Sequence, residues 1–509
     1  MKIVLISPIF SDLGISTLAP LLKKDGHDVK LLFIPQLLQE GLSEPSQKTI
    51  AIVADFVRNA DMVGVNGFSE NHSRIARLVD GIKKTTGVLL VWGGIHATLQ
   101  PEDCLPHADI VCLGEGEKAL LELAKRLEKK DNLDGIKNLL FRSGPDSGKK
   151  VELYPLVDLN ELPPLDYDLD TQYIMEDSRI RNVDEPDFKG LFLTYSGRGC
   201  PFRCSYCCSG VIHNLYKGER ICRQRNIDTV LSDLKEIKER FSSCRHIWFN
   251  EADFILGKTQ KDIKHFSEIY KTEIGIPFSI WSNPAAITGE CIKALKDAGL
   301  EGVNIGTINA SERIQRLIYK RNAPAKLYME KAAILAIHRI PVEYDFILCN
   351  PYENEDDIIS TIRLLMDLPK PFKIVIYSLT YFPKTELYEM ALKDGKIDDK
   401  QLVRGYTKAT YKVWKFSDNN AYLNVVASMM RGCARRSESL KMNFYGILPE
   451  PVLRFLISKR AIRMSRYIPF SRYVYQAIGN LIMAAYITAQ NISSLRKRLA
   501  VYSFHKSKR

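Results

Sequence analysis

Three cysteines in the middle of the 509-residue chain are the residues whose types and spacing most clearly indicate chemistry. Cys200, Cys204 and Cys207 are separated by three and two residues, and they follow directly after Gly199. Thiolates at this spacing can bind one face of an iron–sulfur cluster, and three of them leave one iron without a protein ligand. Such an open iron is a place where a small molecule can coordinate.

A zinc ion is the alternative occupant of this loop. Structural zinc sites usually have four protein ligands, and His213 or Cys222 could supply the fourth. Cys208 points differently and is expected to be a packed thiol. The chain has 11 cysteines, too few for a disulfide scaffold, which indicates a reducing compartment. Four others lie in strand or helix patterns and are expected in the core: Cys104, Cys112, Cys291 and Cys349.

The cysteine loop belongs to a series of alternating strand and helix patterns. The loop follows the first of six apolar segments, at 191–196, 246–250, 278–283, 302–307, 341–348 and 372–382. Helical patterns separate them, for example at 227–241, 287–298 and 357–366. Six β/α units in about 200 residues predict a partial (β/α)6 barrel of the TIM type, with its chemistry at the carboxyl ends of the strands.

A second strand–helix series occupies the first 130 or so residues. Its apolar segments, at 2–7, 28–34, 61–68, 87–94 and 108–114, are continuous, as is typical of strands buried on both faces. They predict an α/β domain with a doubly wound, flavodoxin-like parallel sheet, which binds ligands where its strands end. Glycine-rich segments fall at three of those ends: 67–69, 93–96 and 114–117.

Charge is concentrated at the C-terminus. From Pro451 to Arg509 there are 12 Lys and Arg and no acidic residue, whereas the other 450 residues carry 60 charges of each sign. A basic tail favours an acidic partner, either a membrane or a nucleic acid. Residues 473–495 carry no charge, but polar side chains interrupt them, which predicts an amphipathic helix lying on a surface and not a membrane span.

These patterns divide the chain into four regions. We expect a doubly wound domain at 1–135, a linker with little regular structure at 136–187, the barrel at 188–410, and a helical basic region at 411–509. The N-terminus reads as a first strand and not as a signal peptide. The expected location is therefore cytoplasmic, with peripheral association at the inner face of the membrane.

With its cysteine triad after the first strand of a six-unit barrel, the chain resembles the radical S-adenosylmethionine (SAM) superfamily. The resemblance implies a 4Fe–4S cluster on Cys200, Cys204 and Cys207, whose open iron chelates SAM for cleavage to a 5′-deoxyadenosyl radical. For each polar residue among the implied SAM contacts, a strand-end cap or turn is the alternative role. Ile308 stands where relatives often carry Glu, so part of the nucleoside site departs from the family pattern. The implied SAM contacts are Tyr206, Asn250, Glu251, Ser282, Asn283, Thr307 and Asn309.

The order of a doubly wound domain, a Pro-rich connector and this barrel resembles the cobalamin-binding radical SAM enzymes. A domain that has kept the fold and lost the cofactor is the alternative. The segment 25–30 lacks the glycine of the Asp-x-His-x-x-Gly motif, so no histidine ligand to cobalt is predicted. The cobalamin contacts that the resemblance implies are Ser69, Gly93, Gly94, His96, Gly114, Glu115 and Gly116.

The resemblance implies cobalamin-dependent methyl transfer to an unactivated carbon. A radical cyclase or carbon–carbon coupling enzyme with a vestigial cobalamin domain, and a radical tRNA-modifying enzyme, are the alternatives. The basic tail favours a membrane surface as partner and a hydrophobic substrate such as a lipid, an isoprenoid or a tetrapyrrole. We expect a reductant protein of flavodoxin or ferredoxin type as a further partner. Nucleic acid is disfavoured because no RNA-binding module is evident.

Overall fold

The computed structural model describes residues 1–38, 44–144, 151–397, 422–427 and 450–466. The first sheet has eight strands: β1 (Lys2–Ser7), β2 (Asp28–Phe33), β3 (Met62–Asn66), β4 (Leu89–Gly93), β5 (Ile110–Cys112), β6 (Leu139–Phe141), β7 (Gln172–Glu176) and β8 (Arg179–Asn182). Their order is β6-β5-β4-β3-β1-β2-β7-β8. The five strands β2-β1-β3-β4-β5 are parallel and have the flavodoxin-like order, which confirms the predicted doubly wound fold.

Helices cover both faces of this sheet. They are α1 (Leu13–Lys24), α2 (Gln47–Val57), α3 (His72–Thr86), α4 (Ile95–Leu99), α5 (Pro101–Cys104) and α6 (Glu117–Lys129). Successive residues of a strand face opposite layers. Ile3 and Leu5 accordingly pack in the layer of α1 and α6, while Val4 and Ile6 pack in the layer of α2 and α3. Burial on both faces explains the continuous apolar segments.

The segment predicted to be an irregular linker, 136–187, instead extends this sheet at both edges. Strand β6 pairs antiparallel with β5, while β7 pairs parallel with β2 and forms an antiparallel hairpin with β8. These strands have three to five residues and several polar side chains that face solvent. Short, partly exposed edge strands lack the apolar run that marks a buried strand, so the sequence pattern did not reveal them.

The second sheet is the predicted open barrel. It consists of β9 (Leu191–Thr194), β12 (His246–Phe249), β13 (Phe278–Trp281), β14 (Leu300–Ile308), β15 (Val342–Leu348) and β16 (Phe372–Ser378), all parallel and adjacent in chain order. A small antiparallel pair, β10 (Gly197–Arg198) and β11 (Arg223–Gln224), lies beside the cysteine loop. The helices are α7 (Ser209–Leu215), α8 (Ile227–Arg240), α9 (Gln260–Ile269), α10 (Gly289–Ala298), α11 (Ala325–Ile337), α12 (Glu355–Asp367) and α13 (Glu386–Lys393).

Three helices of the C-terminal region are described, at 422–427, Glu450–Leu456 and Lys459–Arg466. The first is anchored to the barrel, since the Cys349 backbone N–H donates to Asn424 at 3.0 Å, and to the second helix through the Tyr422 hydroxyl. The predicted amphipathic segment 473–495 lies outside the described residues. Within the described ranges, every helix is too short or too polar to cross a membrane.

Candidate active site

A cavity of about 510 Å³ lies where the carboxyl ends of the two parallel sheets face each other. The N-terminal domain lines it with the loops after β1, β3, β4 and β5, and the barrel lines it with the loops after β9 and β12. This volume is within the usual range for cofactor and ligand sites. A molecule bound in the cavity would therefore contact both domains at once.

Two glycines let the backbone form the wall of this cavity. A Cβ at Gly94, where φ is +94°, would lie 2.0 Å from the Asn66 side-chain oxygen. A Cβ at Gly114, where φ is +71°, would lie 2.0 Å from the Tyr216 hydroxyl. Both the left-handed conformation and the space require glycine. The predicted contacts Gly93 and Gly116 line the same wall, so bare backbone faces the space where a flat macrocycle would lie.

The switch point of the first sheet is held by a carboxylate that is not among the predicted site residues. Asp12 caps α1, because its Oδ1 accepts from the N–H groups of Gly14 at 2.7 Å and Ile15 at 3.1 Å. Its Oδ2 accepts from Ser7 Oγ and from Asn66 Nδ2, each at 2.7 Å. An Asp just before a helical pattern is an N-cap signal, which could have identified it.

Two of the predicted cobalamin contacts are not among the residues that line the cavity. Ser69 Oγ and His96 Nδ1 are 3.0 Å apart, and both residues are buried. Thr98, on the same helix as His96, is the residue that bridges the loops, since its hydroxyl donates to the Gly94 carbonyl and accepts from the Gly114 N–H, both at 2.9 Å. Direct contact of Ser69 and His96 with a cofactor stays a prediction.

Glu115 joins the two domains. Arg223 donates to its carboxylate at 3.1 Å and Arg198 at 3.5 Å, while the Val157 N–H donates at 3.2 Å. Burial alone would raise the pKa of Glu115, but the Arg223 hydrogen bond and the charges of both arginines hold it below its ordinary value. The Glu115 N–H also donates to the Tyr216 hydroxyl at 3.0 Å. The loop after β5 is thus fixed to the segment that follows the cysteine loop.

The cysteine loop is fixed by backbone contacts on either side. Gly199 precedes it with φ +84°, and a Cβ there would lie 2.1 Å from the Ile221 carbonyl oxygen. In the middle of the loop, the Ser205 N–H donates to the Tyr319 carbonyl at 3.0 Å. The Ser205 carbonyl accepts from the Leu387 N–H at 2.9 Å. The loop therefore keeps its shape through contacts with distant parts of the barrel.

The three thiols of this loop are all half-buried. Burial raises the pKa of Cys200 to about 11, and the charges of Cys207 and Cys204 contribute in the same direction. Their three sulfur atoms do not all lie within 4.8 Å of one another. A single tetrahedral ion draws its ligands closer than that, whereas a multi-iron cluster bridges a wider set. His213 is already hydrogen-bonded to the Cys200 carbonyl at 2.8 Å, so the geometry favours the cluster over zinc.

Tyr206 lies within this loop, against the Tyr319 ring at a centroid distance of 4.9 Å, and its contact with SAM stays a prediction. Its hydroxyl accepts from Arg321 at 3.5 Å, and Arg321 also donates to the Gly306 carbonyl. Burial raises the pKa of Cys204, and the Arg321 charge opposes that rise. Arg321 is a half-buried cation beside the predicted cluster, and no sequence pattern marks it.

Glu251 and Asn250 line the cavity at the end of β12. One carboxylate oxygen of Glu251 accepts from Ser196, at 2.6 Å from Oγ and 3.2 Å from N, and the other is buried without a hydrogen-bond partner. Lys258 donates to the same Ser196 hydroxyl at 2.7 Å. Burial raises the pKa of Glu251, and Lys258 opposes it. The unpartnered oxygen is an acceptor suited to a cationic amino group such as that of SAM, which fits the predicted contact.

The remaining predicted SAM contacts lie outside the cavity lining. Ser282 is 3% exposed, and Asn283 caps the short 3-10 turn that follows it. Thr307 and Asn309 are fully buried, and Asn309 donates to Glu353 at 2.5 Å. Asn283 thus has the cap role given as an alternative above, whereas Thr307 lies within β14 and its hydroxyl oxygen is buried without a hydrogen-bond partner. Contact with SAM stays a prediction for all four residues.

Two family models match two separate parts of the chain. Residues 4–124 match the B12 binding domain, and residues 194–365 match the Radical SAM superfamily. The chain belongs to the cobalamin-binding radical SAM enzymes. Its cofactors are a 4Fe–4S cluster, SAM and cobalamin, and the glycine wall, the cysteine triad and the unpartnered Glu251 oxygen fit them.

Relatives of this cobalamin-binding radical SAM enzyme include methyltransferases. A protein of Pyrococcus horikoshii that is named an uncharacterized methyltransferase is 26% identical over 394 residues, which is 75% of this chain and 79% of that protein. Bacteriochlorophyllide d C-8(2)-methyltransferase of Chlorobaculum tepidum is 26% identical over 51% of this chain, but only 55% of its own length is covered. The radical SAM methyltransferase TsrM of Kitasatospora setae, solved with cobalamin and a 4Fe–4S cluster, has a TM-score of 0.60 at 16% identity, over 77% of this chain and 78% of TsrM.

Proposed function

We propose that this enzyme transfers a methyl group to an unactivated carbon of a hydrophobic substrate. The proposal depends on one observation, a cavity that is lined both by loops of the N-terminal domain and by strand ends of the barrel. The glycine wall of the first domain and the Asn250–Glu251 strand end of the barrel open into the same space. Two cofactors that face one space can act in turn on one carbon atom.

The bound cofactors supply a 5′-deoxyadenosyl radical and a methyl group. The chain's own residues position and enclose them. Glu251 offers an unpartnered oxygen toward the cavity, while Arg198 and Arg223 hold Glu115 across the domain boundary. Apolar side chains form much of the remaining wall, which keeps water away from reactive species. Those side chains include Leu5, Leu13, Ile15, Leu18, Leu120, Leu156, Ile212 and Ile221.

A hydrophobic substrate taken from a membrane surface is supported by the described C-terminal helices. Val452, Phe455 and Met464 are 38%, 52% and 58% exposed. Helix Lys459–Arg466 has no acidic residue, and Lys459, Arg460 and Arg463 are exposed beside Met464. Apolar side chains within a basic surface suit the headgroup region of an anionic membrane. One relative acts on a bacteriochlorophyllide, as its name states, which is a hydrophobic molecule of this kind.

The ratio of two small products tests the methyl transfer. Methylation should release 5′-deoxyadenosine and S-adenosylhomocysteine in equal amounts, because one SAM yields the radical and another yields the methyl group. The reconstituted enzyme would be incubated anaerobically with a lipid extract, a chemical reductant and SAM carrying a labelled methyl group. Label in the lipid fraction and a ratio near one support the proposal.

The same experiment distinguishes a methyltransferase from a radical cyclase or a carbon–carbon coupling enzyme. Such an enzyme would form 5′-deoxyadenosine together with a modified lipid, but no S-adenosylhomocysteine and no labelled product. That result would overturn methyl transfer while leaving the hydrophobic substrate in place. Labelled product from an aqueous extract alone would overturn the hydrophobic substrate.

A further inference from the structure

A second cluster of metal-ligating side chains lies in the N-terminal domain, apart from the cofactor cavity. His72 at the start of α3, His96 on α4 and Cys104 at the end of α5 each offer one ligand atom, and these atoms all lie within 4.8 Å of one another. His96 and Cys104 are 2% and 0% exposed. The three residues are absent from the cavity lining.

His96 has an unused nitrogen directed into this cluster. Its Nδ1 lies 3.0 Å from Ser69 Oγ, whereas its Nε2 is buried without a hydrogen-bond partner. A buried polar atom without a partner destabilises the folded state, so a ligand there would be favoured.

The second histidine ring packs against the first, and the Asp103 carboxylate lies next to the group of three without being part of it. The His72 and His96 rings have centroids 4.4 Å apart, and His72 Nε2 lies 3.3 Å from the Asp103 carbonyl oxygen. One Asp103 carboxylate oxygen lies 3.7 Å from His96 Nε2. Metal-bound histidines typically use their other nitrogen for a hydroxyl, carbonyl or carboxylate partner, which is the arrangement of the His96–Ser69 pair.

We propose that His72, His96 and Cys104 bind a Zn²⁺ ion, with the Asp103 carboxylate as the fourth ligand. Imidazole and thiolate ligands select zinc over magnesium or calcium. Zinc bonds of about 2.0–2.3 Å bring ligand atoms to roughly 3.5 Å from one another, so the cluster must contract slightly. On binding, the Cys104 thiol gives its proton to solvent, and the two anionic ligands balance the charge of the ion.

The site would act as a support for the cobalamin loops. It joins α3 to α4 and α5, and α4 carries Thr98, whose hydroxyl holds the Gly94 carbonyl and the Gly114 N–H. A metal ion at the far side of α4 would therefore fix the two glycines of the cavity wall. This role adds a structural metal to an enzyme whose other metals are in its cofactors.

Metal analysis of the full-length enzyme tests the proposal. The chain would be purified anaerobically from zinc-supplemented medium, its cluster reconstituted, and zinc and iron measured together. We expect about one zinc per chain in addition to the iron. Cys104→Ala and His72→Gln should reduce the zinc at least fivefold, while Cys291→Ala, a buried thiol in the barrel, should keep it. Zinc below about 0.2 per chain in the wild type would overturn the site.

Cobalt spectroscopy tests the same site without substituting its ligands, so it still applies if the ligand variants do not fold. Full-length protein carrying Cys200→Ala, Cys204→Ala and Cys207→Ala removes the competing thiolates. Added Co²⁺ should then give tetrahedral d–d bands and a thiolate charge-transfer band, and Zn²⁺ should displace it. Added Zn²⁺ should also raise the midpoint of thermal unfolding of this protein, because a ligand that binds only the folded state stabilises it. Octahedral Co²⁺ spectra without a thiolate band would contradict the ligand set.

Discussion

A glycine at the cofactor cavity, Gly114, can be compared with Gly135, which lies outside the cavity lining and has nearly the same backbone conformation. Gly114 and Gly135 have φ values of +71° and +73°. A Cβ at Gly114 would overlap the Tyr216 hydroxyl, whereas no atom lies within 4 Å of a Cβ at Gly135. Alanine at either position costs about 1–2 kcal/mol in backbone strain, so the two variants differ mainly in space.

We expect Gly114→Ala to reduce retained cobalamin at least tenfold and Gly135→Ala to leave it within a factor of two. The reason is that alanine at Gly114 must push Tyr216 away from the loop that lines the cavity. Cobalamin absorbance after gel filtration measures retention, with protein concentration determined separately. Equal retention by the two variants would mean that the close contact at Gly114 is not needed for cofactor binding.

Asp345 is a buried carboxyl inside the barrel wall. It shares a face of β15 with Glu343, one of its oxygens has no hydrogen-bond partner, and it is 6% exposed. Burial, and then the charge of Glu343, raises the pKa of Asp345 to about 7. A carboxyl whose pKa is raised in the folded state contributes stability that is present at low pH and is lost as pH rises through the folded pKa.

We therefore expect Asp345→Asn to be more stable than the wild type by roughly 1–4 kcal/mol at pH 8, with little difference at pH 4. The gain should develop mainly between about pH 4 and pH 7 and then level off, because over that range the unfolded chain loses the Asp345 proton while the native protein keeps it. Urea unfolding of both proteins across this pH range measures the difference. If the unfolding free energies of the two proteins change with pH in parallel, ionisation of Asp345 does not destabilise the native protein.

The elements at the domain boundary are joined by the ion pair between Glu115, after β5, and Arg223, on β11. The side chains of these residues are only 21% and 15% exposed. We expect a double-mutant cycle with Glu115→Gln and Arg223→Met to give a coupling energy of about 1–3 kcal/mol, since buried charged pairs are poorly screened.

An exposed pair serves as the control for that cycle. Lys320 and Glu386 also form an ion pair, but both side chains are 53% exposed. Their cycle, with Lys320→Met and Glu386→Gln, should give less than about 1 kcal/mol and should vanish in high salt. Unfolding free energies from urea titrations give both numbers. Similar coupling for the two pairs would contradict a special role of Glu115 at the boundary.

Elements with strong sequence patterns were predictable, and those without were not. The buried strands of both sheets appear as continuous apolar segments, and the cysteine spacing marks its own loop. Strand β6 has only three residues, and β7 and β8 mix apolar with polar side chains, so none of the three leaves such a pattern. Within the site, Arg321 and Tyr216 act through contacts between residues about 100 or more positions apart, at 3.5 Å to Tyr206 and 3.0 Å to Glu115. Spacing along the chain carries no information about contacts of that kind.

For the whole molecule, the exposed apolar and basic C-terminal helices predict salt-sensitive binding to anionic vesicles. Phe455→Asp should weaken binding roughly tenfold, because a buried Phe contributes about 1.5–3 kcal/mol and an added acid repels the surface. Ile337→Asp on α11, where Ile337 is 77% exposed, is the matched control and should bind like the wild type. Co-sedimentation with phosphatidylserine vesicles measures both. Equal loss in the two variants, or binding to neutral vesicles alone, would contradict a membrane-facing C-terminal region.

The strands at the two edges of the first sheet have a consequence for how this protein can be divided. The chain leaves the sheet after α6, adds β6 at one edge, and returns to add β7 and β8 at the other before the barrel begins. A gene fragment that stops near residue 135 would leave β2 and β5 as unpaired edges, which invite strand pairing between copies. The cobalamin-binding half is therefore not an exchangeable module that ends where its sequence pattern ends. A fusion or domain-swap experiment should place its junction close to residue 188.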